Sequence, residues 1–444
     1  MKISNKSNLK SLVIKSSQWI FFGYGMSQVI RIGIHLILAR FLLPEYFGFS
    51  QIINVFVQGM IMFCDLGMGL SIIQHKDGEE PVFLQTVWTL NIIRGLFLWG
   101  ITFLIAYPVS YVYETPEIVW LLPLAGSSLF LIGFTSTNYW VQNRRMSMST
   151  ITLIDLFSNV LGCVVMLGCA WYWRDVWTLL VGSIVFGSLR AILSHIFLDG
   201  PRMMFRCDWK VVKEVFHFGK WIFLSTVNAF LTSRIDILIM GLYLDKRSLG
   251  YYGIASRIVN LFYEGLAKLN GTLLIPFYSR IKNEKLTTVR RKSFRIRFAI
   301  ICFFLPVFFT LVIWGQDIVN FLYPENFHSV GVFLRILAVG GAIKATASTI
   351  TPIFIARGDS FRQMLTQVSH SLLLIIPMFI GGHYFAEKGL IFAIVFSHLF
   401  NYPVVIFNIR RYGVWFPVLD FSAFALTLFI AASFLRGNFV LPGM

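Results

Sequence analysis

Long apolar runs alternate with short polar segments along the chain. About 20 helical residues cross the roughly 30 Å of hydrocarbon in a bilayer, so each run of that length predicts one membrane-spanning helix. The runs fall near residues 17–40, 47–69, 84–107, 118–138, 150–173, 176–198, 216–242, 250–275, 297–321, 330–355, 364–386 and 387–409. A weaker stretch from Phe421 to Leu435 predicts either a thirteenth span or a short helix at the interface. The pattern thus predicts an all-α polytopic membrane protein with about 12, or 13, transmembrane helices.

The same pattern repeats at an offset of 202 residues. Residues 19–21 (WIF) recur as residues 221–223, and in this register Gly48 aligns with Gly250. Between residues 19 and 52 the register gives 8 identities in 34 positions, whereas composition alone would give roughly three or four. We therefore expect two pseudo-symmetric six-helix lobes. Their predicted bounds are residues 1–200 and 216–411, with a cytoplasmic linker at 201–215 and a tail at 412–444.

The composition excludes a soluble protein. Apolar residues make up 57% of the 444 residues and charged residues only 13%, which is too little polar surface to cover a globule of this size. The predicted loops are no longer than about 25 residues, which leaves little room for a soluble catalytic domain. The five cysteines form no CxxC pattern. We therefore expect neither enzyme activity nor a bound metal.

The net charge of +17 lies mainly on one side of the predicted membrane. Lysine and arginine concentrate in the segments that a cytoplasmic N-terminus would place inside, among them residues 290–292 and Arg297. Such runs are typical of topology anchors beside anionic membrane lipids. The distribution predicts a cytoplasmic N-terminus, and it accounts for the charge without a nucleic-acid partner.

Charged residues within the predicted spans are the candidate functional groups, because a charge in hydrocarbon is costly unless it faces protein or water. Nine basic residues and four acidic residues fall there: Arg31, Arg94, Arg190, Lys220, Arg234, Arg257, Lys268, Arg335 and Lys344, against Asp65, Asp155, Asp236 and Glu264. This excess of positive charge predicts a cationic interior that suits an anionic ligand.

Helical spacing indicates which of these residues share a face. One stripe on the first helix contains Tyr24, Gln28, Arg31 and His35, and another on the eighth helix contains Arg257, Asn260, Glu264, Lys268 and Gly271. Two such stripes, one in each half, could face each other across a central cleft. The alternative is structural: polar residues often only join membrane helices, and Glu264 could pair with Lys268 one turn later. Three histidines are candidate proton carriers or packing residues: His35, His370 and His398.

Several short motifs resemble a known family. Residues 42–48 (LLPEYFG), 65–69 (DLGMG) and 73–77 (IQHKD) open the first half, and residues 234–236 (RID) and 249–252 (LGYY) open the second. These segments resemble the Wzx-like polysaccharide-export flippases of the multidrug/oligosaccharidyl-lipid/polysaccharide superfamily. The resemblance covers the first twelve predicted helices.

The resemblance implies a function and a location. It implies flipping of undecaprenyl-diphosphate-linked oligosaccharide units, for O-antigen, capsule or exopolysaccharide, across a bacterial inner membrane by alternating access. No cofactor is implied beyond coupling to H⁺ or Na⁺. The implied partners are the lipid-linked oligosaccharide, membrane lipids, and a polysaccharide polymerase with chain-length components. An ion-coupled multidrug or cation antiporter and a membrane enzyme of polysaccharide assembly are the alternatives.

The resemblance and the charge pattern together assign roles to the candidate residues. Arginine is favoured for a diphosphate because its guanidinium group binds phosphate oxygens in pairs. The predicted substrate-binding residues are Arg31, Arg94, Arg257, Arg234, Lys268, Gln28, His35 and Lys344, and the candidate ion-coupling residues are Asp65, Asp236 and Glu264.

Overall fold

The regular structure in the described part of the chain is helical. The computed structural model describes residues 6–63 and 67–435. Its α-helices are α1 (Lys6–Leu38), α2 (Pro44–Phe63), α3 (Met68–Gln74), α4 (Pro81–Val112), α5 (Ile118–Gly133), α6 (Asn138–Arg144), α7 (Met148–Trp173), α8 (Trp177–Phe197), α9 (Trp209–Tyr243), α10 (Lys246–Leu269), α11 (Ile275–Ile281), α12 (Leu286–Leu322), α13 (Val330–Ser348), α14 (Pro352–Arg357), α15 (Ser360–Ile409) and α16 (Pro417–Leu435). A π-helical turn, Asn270–Leu274, joins α10 to α11.

The all-α polytopic prediction is confirmed. Within the described residues, 8 helices are long and apolar enough to cross a membrane, or 9 if α5 and α6, which meet at a bend of 63°, form one span. The stretch Pro417–Phe434 within α16 is one of these candidates. Each of the twelve predicted runs overlaps a helix. A count of twelve is compatible with this arrangement and stays a prediction.

Helix α15 is a helical hairpin rather than one rod. Ala386 has non-helical backbone angles, φ 47° and ψ −131°. On either side of it the backbones touch, since a Cβ on Gly389 would lie 2.1 Å from the carbonyl oxygen of Gly381. Farther along, Ser369 Oγ donates a hydrogen bond of 2.7 Å to Asn401 Oδ1. The chain therefore reverses at Ala386, at the boundary predicted between residues 386 and 387.

The chain divides into two compact units, Met1–Leu42 with Ile52–Phe230 and Leu43–Gln51 with Leu231–Met444. In the first unit α1 packs on α7, α7 on α8, α8 on α5 and α5 on α4. Small residues allow close approach at these contacts. A Cβ on Gly95 of α4, for example, would lie 2.9 Å from the carbonyl oxygen of Leu129 on α5.

An extended segment before α9 also belongs to the first unit. The side chain of Gln85 donates a hydrogen bond of 2.9 Å to the carbonyl oxygen of Arg202. The backbone N–H of Arg206 donates a hydrogen bond of 3.0 Å to Thr89 Oγ1. These bonds hold the start of the predicted linker against α4. The predicted lobe bounds stay a prediction.

In the second unit the start of α2 crosses α10 at two glycines. A Cβ on Gly48 would lie 1.9 Å from the carbonyl oxygen of Lys246, and a Cβ on Gly250 would lie 2.1 Å from that of Pro44. Gly250 follows Gly48 by 202 residues, and Lys246 follows Pro44 by the same 202 residues, so the two contacts are equivalent under the internal repeat. The crossing therefore has pseudo-two-fold symmetry, and only glycine fits so close to a neighbouring backbone.

Candidate functional site

The second unit gathers polar side chains from α9, α10, α13 and α15. On α9, Asp236 accepts a hydrogen bond from the hydroxyl of Tyr252 on α10. The charges of Arg234 and Lys344 lie within electrostatic range of this carboxylate. The fold thus brings together three predicted residues, Arg234, Asp236 and Lys344, that are separated in sequence by up to 110 positions. We call Arg234, Asp236, Tyr252 and Lys344 the α9–α13 cluster.

Lys344 contributes the charge of α13 to this cluster. Its ammonium group lies over the ring of Tyr263, with Nζ 3.8 Å from the ring centroid. Among the described residues, no carboxylate lies within salt-bridge distance of this ammonium group. A cation–π contact of this kind leaves the positive charge available to an anion.

Two histidines meet across the α15 hairpin. Nε2 of His370 and Nδ1 of His398 are 2.9 Å apart, within hydrogen-bonding distance. Their rings stack with centroids 4.9 Å apart and an interplanar angle of 12°. The sequence offered both residues as candidate proton carriers or packing residues, but it gave no sign that they touch. The signal that could have paired them is the predicted hairpin, which places residues 370 and 398 at similar depth.

The predicted stripe of α1 lies in the first unit. Arg31 is exposed on α1, and its charge lies within electrostatic range of Cys163 on α7. Gln28 and His35 lie on the same helix and are half-buried. Gly23 packs against Thr152, where a Cβ would lie 2.4 Å from Cγ2. Helix α1 therefore packs on α7 through a face next to the one that carries Arg31.

The predicted stripe of α10 lies in the second unit. Arg257 lies within electrostatic range of Tyr323, and Glu264 lies within range of Lys268. Below them, Asn270 in the π-helical turn donates a hydrogen bond of 3.1 Å to the carbonyl oxygen of Ser348. The turn thus fixes the end of α10 against the end of α13.

Two further predicted residues stand apart from these groups. Arg94 lies half-buried on α4 in the first unit. Asp65 falls outside the described residues, so its predicted coupling role stays a prediction. Within residues 6–63 and 67–435, no set of three or more His, Cys, Asp or Glu side chains is placed to hold a metal ion. The assigned substrate-binding and coupling roles remain predictions.

One polar group in the first unit contains two candidate residues, Asp155 and Arg190, to which the sequence assigned no role. Nε of Arg190 on α8 lies 3.1 Å from Oδ1 of Asp155 on α7. The hydroxyl of Tyr139 donates a hydrogen bond of 2.8 Å to Asp155 Oδ2, and the guanidinium of Arg190 lies over the Tyr139 ring, 4.5 Å from its centroid. The sequence signal was present, because Asp155 and Arg190 are opposite charges on adjacent predicted spans.

A fully buried ion pair in the second unit corrects the charge count. Arg297 was counted among the cytoplasmic topology anchors, but its side chain is 0% exposed and pairs with Asp420, also 0% exposed. Nε of Arg297 donates a hydrogen bond of 3.0 Å to Thr349 Oγ1, and Nη1 donates one of 2.9 Å to the carbonyl oxygen of Val414. Helix α16 packs on α12 beside this arginine, with Leu419 and Ala423 against Ile301 and Leu305. Arg297 is therefore a buried and paired charge that does not face anionic lipid.

A second polar group lies at the start of α15, outside the spans. The carboxylate of Asp359 caps this helix by accepting a hydrogen bond of 3.2 Å from the backbone N–H of Arg362. It also accepts hydrogen bonds from the Tyr412 hydroxyl and the Arg362 guanidinium. The hydrogen bond from Tyr412, together with those from Arg362, lowers the pKa of Asp359 below its usual value.

Comparisons with known proteins agree with this architecture. A family model described as "Polysaccharide biosynthesis protein" matches residues 37–331. Teichuronic acid biosynthesis protein TuaB of Bacillus subtilis is 21% identical over 296 residues, which cover 66% of this chain and 61% of TuaB. Lipopolysaccharide biosynthesis protein WzxC of Escherichia coli is 20% identical over 428 residues, which cover 92% of this chain and 85% of WzxC. The chain therefore spans less than two thirds of TuaB and most of WzxC.

Solved structures show the same fold. The lipid II flippase MurJ in an inward closed conformation matches with a TM-score of 0.68 at 17% identity, covering 96% of this chain and 94% of MurJ. An inward-facing multidrug resistance MATE family transporter of the MOP superfamily matches with a TM-score of 0.67 at 11% identity, covering 93% of this chain and 96% of that chain. At such identities the likeness establishes the fold alone. The family match covers residues 37–331, well over half of the 444 residues, and the chain belongs to the polysaccharide biosynthesis protein family.

Proposed function

We propose that this protein flips undecaprenyl-diphosphate-linked oligosaccharides from the cytoplasmic to the periplasmic face of a bacterial inner membrane. The units would serve O-antigen, capsule or exopolysaccharide synthesis. The lipid tail stays in the bilayer while the polar head crosses by alternating access, and no covalent bond changes. The names of TuaB, a teichuronic acid biosynthesis protein, and of WzxC, a lipopolysaccharide biosynthesis protein, support this proposal, as does the fold shared with a lipid II flippase.

The observation that carries the proposal is the surplus of cationic side chains on membrane helices of a transporter fold. Lys344 is the clearest case. Its ammonium group lies against the ring of Tyr263, and among the described residues no carboxylate is within salt-bridge distance of it. A cationic side chain within a membrane span is energetically costly, so each such side chain is a candidate binding group for an anion. A diphosphate provides such an anion at the head of the lipid.

The proposed binding groups follow from this charge pattern. Arg31, Arg94, Arg257 and Arg234 bind the diphosphate or acidic sugars, because guanidinium groups stay charged when partly dehydrated. Lys268, Gln28, His35 and Lys344 complete the polar surface that the head passes. Asp65, Asp236 or Glu264 couples the cycle to H⁺ or Na⁺. The proposed partners are membrane lipids and the polymerase and chain-length components, and the proposed N-terminus is cytoplasmic.

The main rival is a multidrug antiporter, which shares this fold. A pump for cationic drugs needs an acidic binding surface. The α9–α13 cluster has one carboxylate and two cations, so its net charge favours an anionic ligand. A membrane enzyme of polysaccharide assembly is the other rival, and it would change the covalent structure of the glycan.

The test is a flipping assay in proteoliposomes. A fluorescent undecaprenyl-diphosphate oligosaccharide is loaded, and an impermeant reagent reports when its head becomes accessible. We expect protein-dependent access that falls at least tenfold in Arg31→Glu and is partly retained in Arg31→Lys. Arg291→Gln is the matched control, because Arg291 is an exposed cation near the start of α12 and outside the proposed binding groups, and this variant should keep wild-type activity.

Three outcomes would contradict the proposal. Equal access in empty liposomes would exclude protein-dependent flipping. Efflux of a cationic dye without access to the glycan would favour the drug antiporter. Altered glycan covalent structure would favour an enzyme.

A further inference from the structure

The histidine pair of the α15 hairpin has a defined capacity for protons. In a hydrogen bond between Nε2 of His370 and Nδ1 of His398, one ring nitrogen donates and the other accepts. Two neutral rings satisfy this bond in either direction, and each direction leaves one outer nitrogen without a proton. That nitrogen can take one proton with the bond intact. A second proton would place N–H groups on both inner nitrogens and break the bond.

The surroundings keep the two rings in register. Ser369 and Asn401 are hydrogen-bonded across the same hairpin, next to His370 and one turn after His398. On the facing helix α13, Gly340 lies against the His398 ring, at a distance where even a Cβ would make an ordinary contact of 3.6 Å with Cδ2. The two rings are therefore flanked by a second hydrogen bond across the hairpin and by the backbone of α13.

Lys344 places a positive charge beside this pair. It lies one helical turn after Gly340 on α13, and its charge is within electrostatic range of both histidines and of Asp236. The other charged groups of the α9–α13 cluster are Arg234 and Asp236, with Tyr252 and Tyr263 facing from α10. Lys344 is thus the group that joins the histidine pair to the cluster.

We propose that His370 and His398 bind one proton between them, and that this proton is linked to occupancy of Lys344 by a phosphate or diphosphate anion. The inference rests on the proposed function. An imidazolium beside an ammonium group is repelled by it, and an anion bound to the ammonium group removes that repulsion. Binding of the diphosphate head therefore draws a proton onto the pair, and by reciprocity a protonated pair strengthens diphosphate binding.

The test measures proton uptake on binding. Undecaprenyl diphosphate is titrated calorimetrically into the full-length protein in detergent, in two buffers of equal pH near 6.5 and different ionisation enthalpy. The probe's own ionisation is common to all variants, so differences from wild type report on the protein. We expect wild type to take up a fraction of one proton more than His370→Gln, His398→Gln or Lys344→Gln.

The control is His383→Gln, an exposed histidine of the same hairpin, which should behave as wild type. Nitrogen-15 shifts of the histidine rings in the wild-type protein, measured with and without the lipid, give the same answer without a variant that must fold. One proton gained by the pair on lipid addition supports the proposal. If the lipid binds and the histidine pair gains no proton, the proposal for the pair is overturned and the proposed function stands. If the lipid does not bind, both are overturned.

Discussion

The buried ion pair between Arg297 and Asp420 offers the sharpest stability test. Both side chains are 0% exposed, and the guanidinium also donates to Thr349 and to the carbonyl oxygen of Val414. Asp420→Ala removes the counter-charge and leaves the arginine buried. Removal of one partner of a buried pair typically costs about 3–5 kcal/mol, because the remaining charge has lost its solvent and its partner.

Neighbouring variants should lose less stability than Asp420→Ala, each by an amount that the structure indicates. Thr349→Val removes one hydrogen bond to a charged donor, with an expected cost of about 1.5–3 kcal/mol. The double variant Arg297→Met with Asp420→Leu removes both charges and should recover much of the loss, since a buried pair replaced by apolar side chains is often neutral. Lys292 and Glu284, a pair whose side chains are 47% and 34% exposed, provide the matched control. Glu284→Ala should cost about 0–1 kcal/mol.

The assay is thermal unfolding of the purified protein in one detergent, followed by tryptophan fluorescence. We expect the midpoint order wild type, Glu284→Ala, Thr349→Val and Asp420→Ala, with the double variant above Asp420→Ala. A midpoint for Asp420→Ala no lower than that for Glu284→Ala would refute the reasoning. So would a double variant less stable than Asp420→Ala.

Three further predictions concern other parts of the molecule. Gly48→Ala or Gly250→Ala should lower the free energy of unfolding by about 1–3 kcal/mol or more, because a Cβ would lie 1.9 Å or 2.1 Å from a backbone oxygen. Gly265→Ala, on α10 like Gly250, places its Cβ in open space and should not destabilise the protein. Thermal unfolding in detergent measures all three variants. The pKa of Asp359 is lowered by the hydrogen bond from Tyr412, so its stabilising contribution is present above the ordinary value near ~3.9 and is lost as pH falls through the lower folded value. Melting curves between pH 7 and pH 3 should show a smaller acid-dependent loss in Asp359→Asn, and an unchanged loss would contradict the assignment. Asp155→Asn removes the charge opposite Arg190 at a half-exposed site, and its cost of about 1 kcal/mol should be clearly below that of Asp420→Ala in the same unfolding assay.

Most of the helix positions could be predicted from the apolar runs. The boundary between residues 386 and 387 coincides with the reversal at Ala386, although no glycine or proline occupies that position. The repeat offset of 202 residues likewise matches the contacts of Gly48 with Lys246 and of Gly250 with Pro44. Both features are readable because the bilayer fixes the length of a span and because an internal repeat copies its packing contacts.

The candidate site was predicted less completely. Arg234, Asp236 and Lys344 were chosen one by one as charges within spans, and the fold places them within electrostatic range of one another. The contact between His370 and His398 was not foreseen, because helical spacing relates residues within one helix and carries no information on which face meets a neighbour. The burial of Arg297 was not foreseen for the same reason, since its partner Asp420 lies 123 residues away on α16.

The sequence by itself determined that the chain is helical, spans a membrane and carries an excess of positive charge in its spans. Hydrocarbon imposes these features directly, since it excludes unpaired backbone groups and makes each charge costly. Tertiary structure alone decided which charges are neutralised: Arg297 is paired with Asp420 in a fully buried site, whereas Lys344 lies on the face of Tyr263 beside two histidines. The physical reason is that the energy of a charge in a membrane depends on the few groups within reach, and packing between distant helices selects those groups.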